Sequence, residues 1–112
     1  MQLLILVLKK VELTNELMKE LAESGIKGGT TLDGTGMANA IADMEDLPIF
    51  GTLRSLLVDE EKESCKVMLF VLKVDQVTKT REIIKNVIGD LNAPNTGIMF
   101  SIPITYVEGL GE

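Results

Sequence analysis

Two glycine-bearing turns are the residues best placed to do chemistry. Gly34-Thr35-Gly36 follows a short β-prone stretch, and Asn95-Thr96-Gly97 precedes another. Glycine admits a ligand close to the backbone, and turn N–H groups suit phosphate or carboxylate oxygens. The same residues also make ordinary turns, because Gly supplies positive φ and Asp33-Gly34 is a favoured pair. A second cluster is acidic. Asp43, Glu45, Asp46, Asp59, Glu60, Glu61 and Glu63 share one stretch with Arg54 and Lys62 as its only cations. Carboxylates hold hard divalent cations. This spacing matches no compact ligand loop, and Pro48 and an apolar island interrupt it. The stretch reads as a solvated loop, and no metal site is expected.

Catalysis has few candidate groups. The chain contains no His, which removes the commonest general base and the commonest transition-metal ligand. No Ser or Cys stands in a nucleophile motif, so an ordinary triad is absent. The single Cys65 opens an apolar run and reads as a small core residue. It has no intrachain partner, which suits a reducing compartment. No catalytic residue and no enzymatic activity are expected. The balance of 11 Lys+Arg against 17 Asp+Glu, net −6, disfavours nucleic acid, whose phosphates require a cationic face.

The elements that must position these turns are legible from periodicity. Leu3 to Leu8 is an unbroken apolar run, as is Val67 to Leu72; both read as strands buried on two faces. The first is too short to span a bilayer and lacks signal-peptide flanks, so a cytoplasmic protein that is not membrane-embedded is expected. Between the runs lies a helix. Thr14 is its predicted N-cap, with Leu13 and Met18 as a hydrophobic staple. Leu17, Met18 and Leu21 share one face, and Gly25-Ile26 suits a left-handed stop with an apolar contact back to Leu21. Residues 29–33 read as a second strand. A second helix starts at a capping Asp75, carries an apolar stripe of Val77, Ile84, Val87, Ile88 and Leu91, and ends near Gly89. A last strand spans 98–102, before Pro103.

One domain, residues 1–112, accommodates these elements. Their order, strand–helix–strand twice, is the split βαβ pattern. The expected fold is α+β and ferredoxin-like: βαββαβ, a four-stranded antiparallel sheet with two helices on one face. A long loop at 37–65 joins the halves and carries an apolar island, Ile49, Phe50, Leu53, Leu56 and Leu57. Loops of that length are usually functional. Two strands apolar at every position give the sheet two apolar faces, and two helices cover one. A soluble monomer does not expose such a face, so copies of the chain are expected to cover it.

Taken together these residues resemble the PII nitrogen-regulatory family over nearly the whole chain. Gly25-Ile26-Lys27-Gly28-Gly29-Thr30 is similar to its passage from first helix to second strand, and Gly34-Thr35-Gly36 to its Gly-aromatic-Gly turn. Residues 37–65 fall where the family carries its partner-contacting T-loop. Gly97-Ile98-Met99-Phe100-Ser101-Ile102-Pro103-Ile104 is similar to its last turn and strand. The resemblance implies a homotrimer, with sheets facing the three-fold axis. It implies signal transduction through a small-molecule effector, an adenine nucleotide in the family, bound between subunits by Val7, Gly34, Thr35, Gly36, Met37, Gly97 and Ile98. No further cofactor is implied. It also implies that Ile49, Phe50, Leu53 and Arg54 of the loop dock on a target, a transporter or metabolic enzyme. Two departures stand out. Ile98 occupies the position of the family's phosphate-binding Lys, and residues 86–112 contain no Lys or Arg. Phosphate charge would then need Arg54 or Lys27. The alternative is a metal-binding or structural trimer of copper-tolerance-like architecture.

Overall fold

The computed structural model describes residues 1–37 and 65–110. Six principal elements follow one another: β1 (Gln2–Leu8), α1 (Thr14–Glu23), β2 (Gly29–Gly34), β3 (Cys65–Leu72), α2 (Val74–Ile88) and β4 (Gly97–Pro103). The strands form one antiparallel sheet in the order β2-β3-β1-β4. Each half-repeat therefore leaves a gap that a strand of the other half fills. This arrangement is compatible with the expected ferredoxin-like fold. Among the described residues no helix is long and apolar enough to cross a membrane.

Register assigns the faces, because residues directly opposite in a ladder share a side. Leu4 pairs with Phe70 and Leu6 with Met68. These side chains turn to the helices and are buried with Leu8 and Leu72. Leu17 and Leu21 of α1 and Val77, Ile84 and Ile88 of α2 close the core over them. The other face carries Leu3, Ile5 and Val7 of β1, Val67, Leu69 and Val71 of β3, Ile98, Phe100 and Ile102 of β4, and Leu32 of β2. No charged residue occupies a strand position on this side. No described helix covers it: Ile98, Phe100 and Ile102 are 58%, 45% and 46% exposed. The two central strands are thus buried on one face and only half-buried on the other.

The first helix ends as its sequence predicts and begins differently. Gly25 has φ +89°, its N–H donates to the Ala22 carbonyl, and the Ile26 N–H donates to the Leu21 carbonyl at 2.9 Å. Those two bonds make a Schellman stop, and Leu21 and Ile26 are both buried beside it. At the other end Thr14 is not the N-cap. A 3-10 turn, Val11–Leu13, runs straight into the helix and puts Leu13 at the cap. Thr14 is instead the first helical residue, and its hydroxyl donates back to the Val11 carbonyl at 2.7 Å. The expected staple loses its register by one residue for the same reason.

The second helix likewise starts early, by two residues. It starts at Val74 with Lys73 as cap; Gln76 accepts the Lys73 N–H through Oε1 at 3.2 Å. Asp75 sits inside the first turn, where its charge favours the helix N-terminus. Thr80 joins the buried stripe because its hydroxyl donates to the Gln76 carbonyl. Lys79 reaches across to the Ser24 carbonyl at the end of α1, a cation placed on a helix C-terminus. Strand boundaries exceed expectation by one or two residues: β2 includes Gly34, and β4 includes Gly97 and Pro103.

Candidate functional site

Gly34 belongs to the ladder rather than to a hairpin turn. It pairs with Cys65, and a Cβ at Gly34 would lie 2.7 Å from the Cys65 Sγ. Cys65 is buried, as its apolar context suggests. Beside it Asp33 and Lys66 form an exposed ion pair across β2 and β3. Beyond Gly34, Thr35, Gly36 and Met37 lead off the same end of the sheet, and Met37 is exposed.

The other turn is built more tightly. Asn95 has φ 59°, a left-handed conformation that Asn tolerates. The Thr96 side chain is buried and donates to the Pro94 carbonyl, while the Thr96 carbonyl accepts the Lys9 N–H at 3.0 Å. Gly97 pairs with Leu8, and Ile98 with Val7. A Cβ at Gly97 would lie 2.6 Å from the Val7 carbonyl oxygen. Close approach of two strands therefore demands glycine at this point.

Register brings most of the expected ligand residues to one end of the sheet. Reading across, Leu32, Val67, Val7 and Ile98 lie in one row. Gly34 and Gly97 lie just beyond it, on β2 and β4. These two strands are the borders of the sheet. Three strand spacings put the turns about 14 Å apart. Within one chain, then, Val7 meets Ile98 and Gly97, but the Gly34–Met37 segment stands off from them. Lys27 lies at the opposite end of β2, roughly 23 Å along the strand from Gly34. It is not placed to compensate charge at the Gly34 turn of its own chain. The positions expected to contact a partner, Ile49, Phe50, Leu53 and Arg54, and the acidic cluster at 43–63 lie outside the described residues.

An open cleft of about 850 Å³ flanks the Gly97 turn, between the end of α2 and the border strand β4. Gly97, Ile98, Leu91 and Met99 form its walls, and Lys85, Asp90 and Asn92 supply polar groups. Asp90 already accepts the Asn92 N–H through Oδ1 at 2.9 Å. Lys85, the cation lining this cleft, is an exposed helix residue with no motif around it. The available signal was its place four residues before Gly89, in the last turn of α2. No group of three His, Cys, Asp or Glu able to hold a metal ion occurs among the described residues. Chemically the cleft offers one ammonium, one carboxylate, one carboxamide and a turn backbone to a compact ligand of low charge. No protein-family model matches the chain, and comparison with curated proteins yields no relative.

Proposed function

We propose that this chain is a PII-like regulatory protein: a homotrimer that binds a small effector between subunits and signals through its 37–65 loop to a target transporter or metabolic enzyme. One observation carries the reading. The two expected ligand turns lie at the same end of one sheet but on its opposite borders, beside a bare apolar face. A cyclic assembly brings unlike borders of neighbouring copies together, so each site is completed by a second copy.

Sheet dimensions favour few subunits. Four strands span about 19 Å, and seven residues run about 23 Å. A triangle of such sheets places each about 5.5–6.6 Å from the axis, close to half the ~10 Å at which sheets pack face to face. Four copies leave each sheet about 10 Å or more from the axis, with an unfilled lumen. Two copies stacked face to face also close a core; the family resemblance selects three.

The ligand class follows from the cations. An adenine nucleotide with several phosphate charges needs more compensation than Lys85 gives. A cyclic nucleotide, or another small monoanion, fits the cleft better. A native mass spectrum of freshly purified protein tests assembly and ligand together: three subunits with a small bound anion are expected. Calorimetry with ATP, ADP, AMP and cyclic nucleotides then ranks the ligands. Tight ATP binding sinks the charge argument, and a monomer sinks the assembly. A structural trimer without effector is the second reading, favoured by the exposed Ile98 where the family places Lys. A trimer that binds none of these ligands supports it.

A further inference from the structure

The helix layer does not extend over β2, whose residues Gly29, Thr31 and Asp33 on that side are exposed. A groove is left between α1 and this border strand. Leu21, Ile26, Met68 and Phe70 line it in apolar side chains, with Met18 at the rim. No side chain of residue 29 can fill it, since a Cβ at Gly29 would lie 2.6 Å from the Phe70 ring. Its volume of about 180 Å³ is below the 300–1,000 Å³ typical of small-molecule pockets. It is a slot for one large side chain.

The chain carries a segment with matching chemistry and no cover of its own. After Ile104 the backbone leaves the sheet, and Tyr106, Val107 and Leu110 are exposed, Tyr106 at 72%. Tyr106 donates its hydroxyl to Glu108, the sole charged residue of the described tail, 104–110. Lys27 is the sole charged residue lining the groove. The tail leaves from the β4 border, and the groove lies on the β2 border. In a cyclic assembly these unlike borders meet.

We propose that the 104–110 tail of one copy docks on the next, with the Tyr106 ring in the α1–β2 groove and Glu108 against Lys27. The ring buries its apolar body, and its hydroxyl stays at the wet rim beside Thr31 and Lys27. This docking rests on the cyclic assembly proposed above and supplies it with a strap that the bare sheet face does not.

The test is a photo-cross-link in the full chain, made with Tyr106→benzoylphenylalanine in mixtures of light and nitrogen-isotope-labelled subunits. Cross-linked peptides joining position 106 to residues 18–31, of mixed isotope composition, are expected. Ala22→Trp, which fills the slot from α1, should abolish them with far-ultraviolet dichroism unchanged. Tyr106→Ala should raise the dissociation constant roughly tenfold or more per contact, the loss expected for one large apolar group. An intact oligomer whose cross-links are absent, lie elsewhere or join only residues of one chain overturns the docking and spares the assembly. A native mass of one subunit for the unmodified protein overturns both.

Discussion

The approach of the Gly97 Cα to the Val7 carbonyl leaves no room for a side chain. Gly97→Ala must push β4 from β1 at the site end of the sheet. A loss of roughly 1–3 kcal/mol in urea denaturation is expected, as for other overpacked sites. Lys85 presents the opposite case. It is exposed on the last turn of α2 and belongs to no described ion pair. Lys85→Ala should leave the denaturation midpoint within about 0.5 kcal/mol of the parent, as surface substitutions usually do. The same change should weaken effector binding in calorimetry about tenfold, the share of one charge-assisted contact. Unchanged affinity removes Lys85 from the site. The Asp33–Lys66 pair is exposed, and surface pairs of this kind contribute about 0–1 kcal/mol.

Elements start and stop for reasons of different strength. The end of α1 is fixed by backbone conformation, because Gly25 holds φ +89° with no atom near its missing Cβ. Gly25→Ala therefore costs conformational strain alone, about 1–2 kcal/mol, read as a lower thermal midpoint. That stop was plain in the residues Gly25-Ile26. The start of α1 was not. Val11-Glu12-Leu13 has no strong helix signal, yet a 3-10 turn there extends the helix upstream and converts Thr14 from cap to first-turn donor. Capping preferences are worth about 1 kcal/mol, small enough for the packing of a preceding turn to override. The border strand β4 runs to Pro103, whose missing N–H falls on the outer edge of the sheet rather than toward β1. Its ladder to β1 continues one residue further, where the Ile104 N–H donates to the Met1 carbonyl at 3.1 Å.

The whole molecule is organised by a sheet with two apolar faces and helices for one. The bare side measures roughly 440 Å² in projection, taking about 19 by 23 Å for the sheet. Apolar patches of that size on a single chain are often functional. Phe100→Lys puts a charge on this face without touching the helix-side core. The expected product is a folded monomer: native mass falls to one subunit while the far-ultraviolet spectrum is retained. An oligomer of unchanged size would show that another surface joins the copies. The helix side behaves differently, since Leu6 and Ile84 are fully buried there and any charge would unfold the chain.

The residues alone determined the element types and order, the Gly25 stop and the excess apolar face. These follow from local periodicity, glycine conformation and a count of strand positions, each readable within one segment. The resemblance to the PII family grouped Val7, Gly97 and Ile98 in one site, and the strand register sets them side by side. Tertiary structure decided what depends on distance between segments. It set Gly34 and Gly97 on opposite borders of one sheet, removed Lys27 to the far end of β2 and put Lys85 beside the Gly97 turn. It also left the α1–β2 groove open, since helix placement over a sheet depends on how side chains from several elements pack.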